Sequence, residues 1–255
     1  MRLLVDIGNT RIKWAHATGV AIDAMTALPN EGLDEQNLRQ ALLTHKLTPQ
    51  EVYIANVAGE RIATLVNQTI DNLWNIAPRY VLATQEVCGV RNGYLNPEQL
   101  GVDRWLGVIA AHQRASITCC VVSVGTAMTI DAVNSVGAHL GGMIAPGPEL
   151  LMNALFKNTS DIATRARVGA VGKNIFANNT LDAVHQGSLH SLAALAERAA
   201  AQLENLVGTP SRILLTGGAA FHIAPLLRVP YELIPDLVLR GLAHVAESLA
   251  EQAVH

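Results

Sequence analysis

Four short stretches of this 255-residue chain carry side chains with chemical potential. The first is Asp6-Ile7-Gly8-Asn9-Thr10-Arg11-Ile12-Lys13. Asp6 ends an apolar run, so folding draws its carboxylate inward. There it needs a cation, a water or a hydroxyl as partner. Gly8 and Asn9 can turn a hairpin by taking positive φ. A glycine turn also lets backbone N–H groups approach an anion, because no Cβ intervenes. Hairpin turn and phosphate loop are both open, with Arg11 and Lys13 adding positive charge. The second stretch is Gly101-Val102-Asp103-Arg104, at the head of an apolar helical segment over 100–113. A carboxylate there can cap a positive helix end, or serve as a general base. Arg104 can be surface decoration, or a two-pronged clamp for a carboxylate. The third is GGMIAPG, 141–147, which reads as a tight loop before a helix over 148–157. The fourth is TGG, 216–218, at a strand end. Either can be a plain turn or a place where ligand packs on backbone.

The common phosphate and metal signatures are missing. There is no GxxxxGK[ST], and VGAVGKN at 168–174 has the wrong spacing. No GxGxxG follows a strand, and no GxSxG elbow occurs. The nine histidines contain no HExxH, and His185 and His190 read as positions on a long helix. These absences argue against a P-loop enzyme, a Rossmann dehydrogenase and a zinc hydrolase.

The elements that must position these stretches follow from periodicity. Residues 2–8 and 10–16 read as strands around the Gly-Asn turn. Helical spacing covers 34–46 and 59–74, with a strand at 52–57 between them. The layout then begins again. CCVVSVGTAMTIDAV, 119–133, is a second strand, glycine turn and strand, followed by a helical region over 181–207, a strand from 212 and a last helix over 239–252. The pattern predicts an α/β protein of two similar domains, each a mixed sheet with helices on it, meeting near residue 115.

Half the residues are apolar, 4% are aromatic and the formal net charge is −3. That charge gives nucleic acid no electrostatic foothold. No apolar run is long enough to span a bilayer, and Asp6 and Arg11 interrupt any signal-peptide pattern. The three cysteines, Cys88, Cys119 and Cys120, are expected to be buried thiols in a reducing compartment, so the cytoplasm is the expected location.

Taken in order, DIGNTRIKW, YLNPEQLGVDRW, VGTAMTID, GGMIAPG, TLDAVHQG (180–187) and TGG resemble the type III pantothenate kinases. That family lies in the superfamily of acetate and sugar kinases, heat-shock ATPases and actin. GVDRW and GGMIAPG are its most telling pieces, and the ordered set spans nearly the whole chain. The resemblance implies the actin-like, ribonuclease H-like fold, with domains 1–115 and 116–255 and an active-site cleft between them. It implies ATP-dependent phosphorylation of pantothenate to 4'-phosphopantothenate, the first step toward coenzyme A. On this basis Asp6 to Lys13 form a first phosphate loop, Asp6 helping to organise Mg²⁺ through phosphates or water. Gly125, Thr126 and Ala127 form a second loop, and Gly217 and Gly218 lie near the adenosine. Gly101, Val102, Asp103, Arg104 and Tyr94 line the pantothenate pocket. Arg104 faces the substrate carboxylate and Asp103 takes the hydroxyl proton. Thr180 is implied to reach the substrate of a neighbouring subunit in a homodimer. One departure stands out. The family's second turn carries D-x-G-T-A, and here the acidic position is Ser123. A hydroxyl can ligate the monovalent cation, K⁺ or NH₄⁺, that the resemblance implies, but it brings no charge. The alternatives are a superfamily kinase for another small hydroxy acid, or a nucleotide-binding regulator without activity.

Overall fold

The computed structural model describes residues 1–45, 47–159 and 174–254. These fall into two compact units. One comprises the described residues of Met1–Ser116, Val136–His139 and Asp236–His255, the other those of Ile117–Ser135 and Leu140–Pro235.

The first unit is built on a six-stranded mixed sheet. Its strands are β1 (Arg2–Ile7), β2 (Arg11–Thr18), β3 (Ala21–Ile22), β4 (Thr26–Pro29), β5 (Glu51–Asn56) and β6 (Arg79–Tyr80), in the order β3-β2-β1-β5-β6, with β4 also paired to β2. β1 runs antiparallel to β2 and parallel to β5. The two central strands, RLLVDI and EVYIAN, are buried almost end to end, as strands covered on both faces must be. Leu3, Val5 and Ile7 pack on one face with Leu38 and Leu42 of α1 (Glu35–Leu42) and with Ile62, Val66 and Ile70 of α2 (Glu60–Trp74). Strand alternation turns Leu4 and Asp6 to the opposite face. Both helices follow the expected periodicity. Asp34 starts α1 with a reciprocal capping box through Asn37.

A small hairpin of β7 (Glu86–Val87) and β8 (Val90–Arg91) leads to α3 (Val102–Ala115). α3 is buried from Val102 through Ala111 apart from Asp103, which is half-buried.

The second unit repeats the plan. Its strands are β9 (Cys119–Val124), β10 (Ala127–Val133), β11 (His139–Pro146), β12 (Arg212–Thr216) and β13 (Tyr231–Leu233), in the order β11-β10-β9-β12-β13. Again the first two strands are antiparallel and the next two parallel. Its helices are α4 (Pro148–Asn158), α5 (Thr180–Val207) and the short α6 (Ala220–Ile223). The core joins Val122, Val124 and Ile130 of the sheet to Leu189, Leu192, Ala196 and Leu203 of α5. Small residues along α5 allow a 28-residue helix to lie close on the sheet.

Two expectations change. The chain closes with α7 (Leu237–Val254), which belongs to the first unit, so the unit boundaries are not those of a cut at residue 115. Gly241 explains the attachment: a Cβ there would lie 2.0 Å from the carbonyl oxygen of Leu106 in α3, so these helices meet backbone to backbone. Secondly, residues 141–146 of GGMIAPG are not a loop but most of β11, at one end of the sheet order. An end strand tolerates glycine, and its last residue tolerates proline, because the lost donor there faces no partner strand.

Candidate functional site

Asp6 stands at the penultimate position of β1, in register with Lys13 on β2 and Ala55 on β5. Only 3% of it is exposed, and Lys13 Nζ lies 3.2 Å from Oδ2. Burial pushes the Asp6 carboxyl above its ordinary range, Lys13 pulls it back, and the charge of Asp103 raises it again. The expected interior carboxylate is therefore present, with Lys13 as the positive charge it meets. Asp6 and Asp103 are close enough to feel each other, although 97 positions separate them in the sequence. Among the described residues no group of three or more His, Cys, Asp or Glu side chains could hold a metal by itself. A cation beside Asp6 would draw its other ligands from elsewhere, as Mg²⁺ does from phosphates and water.

The turn after Asp6 is tightly held. Gly8 N–H donates to Arg11 O at 3.0 Å, and Val57 N–H donates to Ile7 O at 3.0 Å. Asn30, just past β4, donates its backbone N–H to Thr10 O at 2.9 Å and its Nδ2 to Gly8 O at 2.6 Å. Asn9, Thr10 and Arg11 at the tip are exposed, and Ile12 returns to the core.

The head of α3 carries the second cluster. Gly101 is the N-cap and Asp103 sits in the first turn, so Asp103 is not the capping residue. Its Oδ1 instead accepts the Arg104 N–H at 2.9 Å. A Cβ on Gly101 would meet that oxygen at 2.8 Å, so the glycine leaves room for the carboxylate. Arg104 is buried, and its Nη1 donates to the Tyr94 hydroxyl at 2.7 Å, with the guanidinium 5.5 Å from the ring centroid. His139 was not foreseen. It is buried, its ring stacks on Tyr94 at 5.9 Å, and its Nδ1 accepts from Gly93 N–H at 3.4 Å. Only its place two residues before the glycine-rich stretch could have suggested it.

In the second unit, Gly125 N–H donates to Ala127 O at 2.9 Å, and Thr126 is exposed at the tip. Ser123 is half-buried and lies in register with Thr129 and Thr216. Asp131 is buried two residues along from Thr129, hence on the same face. Two glycines press on the turn. A Cβ on Gly147 would fall 2.0 Å from Gly125 O, and one on Gly217, whose φ is +98°, would fall 2.3 Å from Val124 O. Gly147 N–H donates to Thr126 O at 2.9 Å, and Ala219 N–H to Val124 O at 2.9 Å. Gly218 is exposed beside them. Thr180 opens α5, half-buried, after its cap Asn179. Residues 168–173 of VGAVGKN lie outside the described residues. Cys119 and Cys120 are buried as expected, with burial pushing both thiols up to about 12, but Cys88 is only half-buried, at φ +51°.

Two sheets of one topology, each with a glycine turn after its first strand, define a kinase-class ATPase fold. Solved structures of that architecture align over nearly the whole chain. Component A of the (R)-2-hydroxyglutaryl-CoA dehydratase of Acidaminococcus fermentans matches at a TM-score of 0.58 and 14% identity, covering 99% of this chain and 98% of that one. The activator of the 2-hydroxyisocaproyl-CoA dehydratase of Clostridium difficile, with bound ADPNP, matches at 0.55 and 10%, covering 99% and 96%. The chain itself belongs to the type III pantothenate kinase family, whose model matches residues 2–202. The type III pantothenate kinase of Nitrosococcus oceani is 36% identical over 98% of this chain and 96% of its own length. That of Aromatoleum aromaticum is 39% identical over 96% and 98%. This membership does not favour the alternatives of another hydroxy-acid kinase or a regulator.

Proposed function

We propose that this protein transfers the γ-phosphoryl group of ATP to the hydroxyl of pantothenate, with Asp103 as the general base. The observation that carries the reading is the head of α3, where a half-buried carboxylate stands beside a buried arginine in electrostatic reach of Asp6. Phosphoryl transfer needs positioning and charge neutralisation more than covalent chemistry, and the residues divide along those lines. Arg104, braced by the Tyr94 hydroxyl, binds the pantothenate carboxylate in two-pronged fashion. Gly101 and Val102 shape the same pocket. Asp103, fixed by the Arg104 N–H, orients the substrate hydroxyl and accepts its proton. The turns Asp6 to Lys13 and Gly125 to Ala127 present backbone N–H groups and the Thr10 and Thr126 hydroxyls to the phosphates. Gly217 and Gly218 leave space for the adenosine. Asp6 would help hold Mg²⁺, through phosphates or water, and the ion would supply charge neutralisation there; a buried carboxylate fits it. Ser123 would offer a monovalent cation, K⁺ or NH₄⁺, a neutral ligand.

The protein works in the cytoplasm as a homodimer in which Thr180 reaches the partner's substrate. No helix among the described residues is long and apolar enough to cross a membrane. Exposed apolar side chains on β11 and α4, Met143, Ile144, Leu150 and Leu155, are candidates for contact with a second copy. A monomeric mass by light scattering at micromolar concentration would remove the dimer.

Asp103→Asn tests the base. The amide keeps an oxygen for the Arg104 N–H, so the local fold is preserved. Pantothenate-dependent ADP formation is expected to fall by roughly 10²–10⁴-fold with nucleotide binding retained. Near-normal turnover would remove Asp103 from the role.

A further inference from the structure

Both glycine turns are held from the same place in the chain. In each unit a strand paired to the second strand of the hairpin ends in proline, and the next residue reaches the turn: Pro29-Asn30 after β4, Pro146-Gly147 after β11. Asn30 N–H donates to Thr10 O and Gly147 N–H to Thr126 O, each at 2.9 Å. The likeness stops at the next carbonyl. At the second turn the backbone itself closes on Gly125 O, leaving no room for a side chain on Gly147. At the first, the matching carbonyl of Gly8 is taken by the Asn30 amide at 2.6 Å. The direction of that bond fixes the amide, since a carbonyl oxygen can only accept. Asn30 is 6% exposed, so the bond is sheltered from water.

The consequence follows from peptide planarity. No peptide bond among the described residues is cis, so each turn C=O points opposite to the N–H of the following residue. Holding Gly8 O fixes the Asn9 N–H, and holding Thr10 O fixes the Arg11 N–H. Unheld, the peptide after Gly8 could rotate at little cost, and its carbonyl could face a bound phosphate.

We infer that Asn30 is a positioning residue for the nucleotide: its side-chain amide and backbone N–H pin the first turn so that its N–H groups face the phosphates. The inference rests on reading residues 6–13 as a phosphate loop. Asn30 touches no substrate in this scheme and acts only through Gly8 and Thr10.

Asn30→Ala removes the side-chain donor and keeps the backbone bond. Asn30→Asp keeps the shape, cannot donate when ionised and adds a charge. Steady-state kinetics with each substrate varied separate the outcomes. The KM for ATP is expected to rise roughly 10-fold in Asn30→Ala and further in Asn30→Asp, with the KM for pantothenate within about twofold of the parent. A purely structural loss would lower the active fraction and kcat while leaving both KM values in place, and that result would overturn the proposal. So would an Asn30→Asp variant with the parent's KM for ATP. Hydrogen exchange gives a readout without turnover: the amides of residues 8 and 30, which donate to Arg11 O and Thr10 O, should exchange faster in Asn30→Ala, and those of residues 125 and 147 should not change. Equal rates at residues 8 and 30 would also overturn it. If the parent protein shows no pantothenate-dependent ADP formation, the kinase reading fails instead, and the exchange result still judges the pinning of the turn.

Discussion

The two hairpins share a topology and differ in what they spend side chains on. Across the first sheet, level with the turn, runs the row Lys13-Asp6-Ala55: a paired charge beside a methyl. Across the second, at the matching level, runs Thr129-Ser123-Thr216: three hydroxyls and no charge. The turns differ in the same sense. Four residues, Gly8 to Arg11, separate the last paired positions of the first hairpin, and an asparagine side chain holds them. Three residues, Gly125 to Ala127, separate those of the second; the backbone of Gly147 crowds against them and that of Gly217 against Val124 just before. One copy carries the charge and the other the close fit. The row level with the first turn holds a buried carboxylate and bears its desolvation, and the row level with the second holds none.

The sharpest way to break this contrast is to add one carbon to the close-fitting copy. In Gly147→Ala the new Cβ meets two backbone carbonyl oxygens, at 2.0 Å and 2.6 Å, neither of which can swing aside as a side chain would. Gly217→Ala adds a positive φ to a similar collision. Each should cost about 2–3 kcal/mol, lowering Tm by roughly 5–10 °C, and should raise the KM for ATP. Gly125→Ala has space, with the nearest atom 3.8 Å away, and should keep its Tm. Thermal melts of the three variants decide. A Gly147→Ala protein as stable as Gly125→Ala would show that the second turn is not held by close backbone approach.

Much of this was legible in the sequence because period and punctuation speak locally. The two hairpins, α2, α5 and the interior place of Asp6 follow from apolar runs ended by glycine or by a cap. What stayed hidden depends on distance along the chain. Asn30 is 22 positions from Gly8, and nothing in Leu-Pro-Asn marks it as a clamp until β4 is seen beside β2. His139 reaches Tyr94 across 45 positions. The glycines of β11 signal a turn locally, whereas pairing with β10 overrides that preference. α7 belongs to the first unit for a similar reason: membership of a unit is decided by packing on Leu106, not by sequence order.

A second test acts on the charged copy. Burial raises the folded-state pKa of Asp6 above its ordinary value of 3.8, so the folded protein holds that proton more tightly than the unfolded chain does. The group's contribution to stability is therefore fully present below the unfolded pKa and lost as pH rises through the folded one. Asp6→Asn removes this loss. The Tm of the variant minus that of the parent, without nucleotide, should grow as pH rises from the acid end of the folded range to 7.5, at roughly 2–4 °C per kcal/mol. A difference independent of pH would mean that Lys13 fully offsets the burial of Asp6. The same variant should lose affinity for Mg²⁺–ATP, so greater stability and weaker binding would arrive together.

The smallest effect sharpens the comparison from the neutral side. Ser123→Asp restores to the second copy the acidic position that the first retains. The new carboxylate would sit half-buried between Thr129 and Thr216, on the same face as the buried Asp131. Without a cation it meets desolvation and a like charge, both unfavourable. K⁺ or NH₄⁺ relieves both, so the variant's turnover and Tm should respond to these ions at lower concentration than the parent's, by a factor of about 3–10, equivalent to roughly 1 kcal/mol of differential binding. Na⁺ at equal ionic strength serves as the control for screening. Superimposable cation curves for parent and variant would show that the hydroxyl row is not where a monovalent ion acts, and that the two copies diverged at this level for a reason other than charge.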